Sequence, residues 1–182
     1  MYDTFESVIK HFDEAELAYT AYPDDKVVWS VITTENAAFN LHVKVEEETL
    51  WVVLHHPLRV PEVLRRTMAE LVVRIAPGNN LARLEMDYDE GSLRIRCRLM
   101  FDESIGLEPE EIQGPIFTSV ISMDWYHPAI VAVLHQGKSP MDAAKQLDTE
   151  DDDEAKDNSA TDSSPHAKRF ELPLPDDEAR NN

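Results

Sequence analysis

The sequence predicts an α+β fold, an antiparallel sheet with helices packed on one face, in the order α-β-β-β-α-β-β-α. Three observations predict it. Apolar residues recur at helical spacing near the start, in the middle and at the end of the first 137 residues. Between the first two helices, apolar and polar residues alternate with the period of two that marks a half-buried strand. The stretch 82–101 can be folded into a hairpin with one apolar face.

The first helix is expected over about residues 4–16. Phe5, Val8, Ile9 and Phe12 fall on one side, and Asp3 with Glu6 has the form of a capping box. Residues 18–56 are strand-like, with runs at Val27–Ile32, Ala38–Val45 and Leu50–His55. Turns fit at Glu35-Asn36 and Glu47-Glu48, although the second offers neither Gly nor Asn for a positive φ. With two-residue turns, Val28, Ile32, Phe39, Leu41, Val43, Val45, Leu50, Val52 and Leu54 face the helices. Pro61 suits the start of a second helix with the stripe Leu64, Met68, Leu71, Val72 and Ile75, stopped by Pro77-Gly78.

A two-residue turn at Glu90-Gly91 then pairs Asp87 with Arg94, Glu85 with Arg96, and Leu84 with Cys97. The last helix is expected from about Pro115 to Gln136, bent at Pro128 and capped by Gly137. Its apolar face includes Ile116, Val120, Met123, His127, Ile130, Val131 and Leu134.

The domain is expected over 1–144, followed by an acidic tail at 145–182. Of the chain's net charge of −19, residues 1–137 contribute 23 acidic and 11 basic groups. Residues 148–169 hold no large apolar side chain, so burial there cannot offset ordering entropy and disorder is expected. Phe170, Leu172 and Leu174, between prolines, interrupt that pattern; they read as a docking motif or as isolated apolar residues on a loose tail. The acidity disfavours nucleic acid and anionic membranes as partners. The single cysteine, Cys97, excludes an internal disulfide. No segment reads as a secretory signal or a membrane span, which points to a cytoplasmic, bacterial-type setting by default.

The outer face of the early sheet is the first candidate site. It carries Trp29, Val31, His42, Trp51 and Val53, with Asn40 and Lys44, and reads as a partner-binding or dimer surface. A one-residue change in turn length would instead bury the tryptophans. Arg94, Arg96 and Arg98 form a row that offers contact to an acidic peptide or to the chain's own tail; cross-strand pairing with Glu85 and Asp87 is the simpler reading. His55-His56 point to opposite faces of a strand and so do not chelate one ion, and no Cys/His spacing suits zinc. His127 reads as a satisfied core histidine and Cys97 as a small hydrophobe. The Asp151–Glu154 run lacks the glycine and spacing of a calcium loop. No metal, cofactor or catalytic constellation is expected, and the scattered glycines form no phosphate loop.

The closing helix reads Ser122-Met123-Asp124-Trp125-Tyr126-His127-Pro128-Ala129-Ile130, followed by Gly137-Lys138-Ser139-Pro140 and Ala143-Ala144. With the order of elements over about 5–144, this resembles the YbjN family. The resemblance implies a type III secretion chaperone-like fold, a label of sensory-transduction regulator, and fold relatives that bind client segments and commonly dimerise. It implies no active-site residues. The sequence thus favours a non-enzymatic protein-binding module, a chaperone-like adaptor or regulator that takes a client protein segment. The alternatives are a small-molecule or enzymatic domain of unknown reaction, and a structural subunit of an assembly.

Overall fold

A computed structural model of the chain describes residues 3–76 and 82–147. The expectations for Pro77-Gly78, for the Asp151–Glu154 run and for the Phe170–Leu174 motif lie outside the described residues.

The chain is α+β, with a six-stranded antiparallel sheet and four α-helices among the described residues. Helix α1 spans Thr4–Glu14, and strands β1 (Tyr19–Tyr22), β2 (Val27–Thr33), β3 (Ala38–Glu46) and β4 (Thr49–Arg59) follow. A 3₁₀ turn, Glu62–Leu64, leads into α2, Arg65–Ile75. Strands β5 (Leu84–Met86) and β6 (Ser92–Met100) come next, then α3 (Pro109–His135) and α4 (140–147). The strand order is β1-β2-β3-β4-β6-β5. One strand, β1, and one helix, α4, add to the expected order.

Local chemistry accounts for the ends of the elements. The Asp3 carboxylate accepts from the Phe5 and Glu6 amides at 2.9 and 3.3 Å, satisfying orphan donors of α1. The register of β2, β3 and β4 follows the two-residue turns: Thr34 N donates to Ala37 O around Glu35-Asn36, and Glu46 pairs with Thr49 around Glu47-Glu48. Glu47 itself takes the left-handed conformation, φ +49°, where glycine or asparagine is usual. All nine residues expected to face the helices from these strands are buried. They pack with Leu93 and Ile95 of β6, against α1, α2 and α3, and Ala143 and Leu147 of α4 complete the core.

Three expectations are corrected. The β5–β6 hairpin is displaced by two residues: Glu85 faces Arg94, Leu84 faces Ile95, and Met86 faces Leu93. The Asp87 carboxylate accepts from the Asp89 and Glu90 amides, and Gly91 at φ +71° donates to Asp87 O at 2.8 Å. This four-residue loop outcompetes the two-residue turn because one aspartate satisfies two loop donors. A two-residue displacement preserves which residues share a face, so the apolar side stays apolar.

Helix α3 begins at Pro109, not near Pro115. Glu108 and Glu111 form a reciprocal capping box and Pro109 occupies the first turn, which fixes the start ahead of Gly114-Pro115. The third correction concerns membrane length. At 27 residues and mean hydropathy 1.2 in its most apolar window, α3 is long and apolar enough to cross a bilayer. Here 56% of that window is buried inside the protein, and α3 lies against β4, β6, α1 and α2.

Candidate binding face

Because strand side chains alternate, the residues opposite the core set all emerge on the other side of the sheet. Cross-strand register arranges them in three rows. The first runs Tyr22, Val27, Lys44, Trp51, Arg98. The second runs Thr20, Trp29, His42, Val53, Arg96. The third runs Val31, Asn40, His55, Arg94, Glu85. None of these fifteen residues is buried, and no helix among the described residues covers them. Trp29 is 46% exposed and Val31 60%, so the first tryptophan belongs to the surface.

Within this face the rings are ordered by one another. The Trp29 and His42 centroids lie 3.4 Å apart, and His42 and His55 lie 4.8 Å apart. Partial burial in this stack, reinforced by the neighbouring His55, pushes the His42 pKa down to about 4. His55 is lowered as well, first by burial and then by Arg94. Both imidazoles are therefore neutral at physiological pH, and the fixed positive charge on the face comes from lysine and arginine.

The arginines divide into two kinds. Arg94 and Arg96 both reach Glu85, at 3.3 and 3.2 Å, as the cross-strand reading anticipates, although Asp87 takes no part. Arg98 forms no ion pair among the described residues. Its guanidinium sits 5.8 Å from the Trp51 ring centroid, and that of Arg96 sits 5.5 Å away. Trp51 is thus a half-buried aromatic plate crowned by two cations, an arrangement that suits an apolar group followed by a carboxylate. All eight proposed site residues, Trp29, Val31, His42, Trp51, Val53, Arg94, Arg96 and Arg98, share this one face. Parity along β4 also places His55 there, and pairing of β1 with β2 adds Tyr22.

On the core side, His56 and His127 meet. His56 Nε2 lies 3.0 Å from His127 Nδ1, and the Leu58 amide donates to His56 Nδ1 at 3.1 Å. Since Nδ1 of His56 is an acceptor, its Nε2 carries the proton and donates to His127. Burial lowers both pKa values, that of His56 to about 4, with the facing His127 adding to the shift; Asp124 partly offsets the lowering at His127. Sequence alone could not join these two, which lie 71 residues apart. Among the described residues no group of three or more His, Cys, Asp or Glu side chains can hold a metal ion.

Among the described residues, two cavities away from this face are well defined. One of about 100 Å³ sits between α1, β2 and α3, lined by apolar side chains with His11 its one titratable group. The other, about 670 Å³, is an open mouth bordered by Asp3, Glu6, Glu47 and Glu103, with Lys26 among them. Neither brings together an acid, a base and a nucleophile in a sheltered space.

No family model matches the chain, and comparison with curated proteins and with solved structures returns no match.

Proposed function

We propose that this protein is a non-enzymatic protein-binding module, an adaptor or regulator whose outer sheet face takes an extended segment of a client protein. One observation carries the reading: a long, helix-free sheet face presents Trp29, Val31, Trp51 and Val53 beside Arg96 and Arg98. Aromatic and arginine side chains concentrate binding energy in protein interfaces, and a contiguous apolar patch with a charged margin is their usual setting. The resemblance to the YbjN family and to secretion chaperone-like folds supports the same reading. It adds a symmetric dimer and a bacterial cytoplasmic setting to the proposal.

A folded Trp29→Asp, Val31→Asp double variant tests it. Both side chains are exposed, so the substitutions leave the core intact. Immobilised wild type is expected to retain a specific protein from native lysate that the variant loses. Equal retention by the two proteins would remove the outer face from the function.

A further inference from the structure

Building on the outer face as a binding surface, we propose that its resident occupant is the chain's own segment 170–178, which docks across the strands and must be displaced by a client. The segment reads Phe170-Glu171-Leu172-Pro173-Leu174-Pro175-Asp176-Asp177-Glu178. It places three apolar side chains at alternate positions and then three consecutive carboxylates.

The face carries the complementary sequence of features in the same order. Trp29 and Val31 stand on β2, Val53 and Trp51 on β4, and the arginine row on β6. Three strand spacings separate β2 from β6, about 14 Å. A fully extended chain, in which alternate side chains share a face, advances about 3.3 Å per residue, so Phe170 to Asp176 spans about 20 Å. With Phe170 on Trp29 and Val31 and the segment crossing the strands diagonally, the distance to Arg98 is about 20 Å, so Asp176 arrives over that guanidinium with Asp177 and Glu178 just beyond it. Arg98, which has no ion pair among the described residues, gains a carboxylate partner.

Two further points favour this mode. Pro173 and Pro175 lack backbone donors, which disfavours addition to a sheet edge and favours packing against tryptophan faces. The 22 residues between Leu147 and Phe170 reach up to about 75 Å when extended, enough to pass from the core side to the outer face. Intramolecular docking also raises the local concentration of the segment to the order of 1 mM, so weak contacts suffice.

The test uses the full chain. Substituting Phe170→Ser, Leu172→Ser and Leu174→Ser touches no described residue. Iodide quenching of tryptophan fluorescence is expected to rise about twofold in this variant, because Trp29 and Trp51 lose their cover. A synthetic peptide of residues 168–180 is expected to bind the variant about tenfold more tightly than wild type, whose own segment competes. That binding is expected to vanish in the variant carrying Arg96→Glu and Arg98→Glu. Equal quenching in wild type and variant overturns the proposal. So does wild-type quenching that increases on dilution, which would place the segment on a second copy. Loss of client capture in the Trp29→Asp, Val31→Asp protein, together with equal quenching here, would leave the binding face standing and remove only its resident occupant.

Discussion

His56 Nε2 donates to His127 Nδ1 across 3.0 Å, and the direction of that bond is fixed by the Leu58 amide, which occupies the other nitrogen of His56. The pair links the β4 bulge around Pro57 to the middle of α3, next to Phe39. It functions only with both rings neutral.

This makes folding stability depend on pH in a stated direction. Both pKa values are lowered in the folded protein, so between about pH 6.5 and pH 4 the unfolded chain binds more protons than the folded one. The contribution is fully present above pH 6.5 and is lost as pH falls toward 4. Urea unfolding at pH 7.5 and 5.0 is expected to show lower stability at the acid value. His127→Leu is expected to cost roughly 1–3 kcal/mol at pH 7.5, by leaving the His56 donor unpaired, and to reduce the pH dependence, His11, His42 and His55 supplying the remainder. An unchanged pH dependence in that variant would exclude the pair as its source.

Two glycines with similar backbone angles are expected to differ sharply. A Cβ on Gly91, at φ +71°, would lie 2.2 Å from Val60 O, and Val60 N donates to Gly91 O at 2.8 Å. Gly137, at φ +66°, meets nothing within 4 Å. Gly137→Ala is therefore expected to cost about 1 kcal/mol from backbone strain alone, and Gly91→Ala more than about 2 kcal/mol. Denaturant midpoints of the two variants decide it.

Neighbouring residues of β2 provide a parity test. Val31 is 60% exposed and Ile32 is 6% exposed. Val31→Lys is expected to change stability by less than about 0.5 kcal/mol, whereas Ile32→Lys buries an unpaired charge and is expected to abolish the cooperative thermal transition. The reverse ranking would mean that the sheet presents its other face to the helices.

At the start of the chain, Asp3→Ala removes the acceptor for the Phe5 and Glu6 amides. The expected loss is about 1 kcal/mol, read as a lower thermal midpoint with unchanged helix content below the transition.

The central sheet was legible because strict alternation in β3, with its short turns, leaves a single register that buries Phe39, Leu41, Val43 and Val45 together. The candidate face followed from that parity without any knowledge of the helices. The β5–β6 hairpin was harder because sliding by two residues costs no apolar burial; the choice rests on the Asp87 carboxylate, a side-chain preference that competes with the simplest turn. Strand β1 carries little sequence signal because its exposed Thr20 and Tyr22 flank only half-buried Tyr19 and Ala21, and it is held by pairing with β2. Gly114-Pro115 resembles a stop signal and masks the early part of α3, while a capping box whose N-cap lies nearly two turns upstream carries more weight. The histidine pair depends on tertiary packing that no local pattern encodes.

The sheet ends in a four-residue strand on one side and a three-residue strand on the other, while β3, β4 and β6 between them run nine to eleven residues. Strands β1 and β5 themselves offer few free amides and carbonyls to template another chain, which disfavours edge-to-edge pairing along them. A guest strand zipping onto β1 or β5 finds three or four residues of rim, whereas one settling broadside on the tryptophan side is recognised through side chains. Such a surface can distinguish one sequence from another, which a bare backbone rim does poorly.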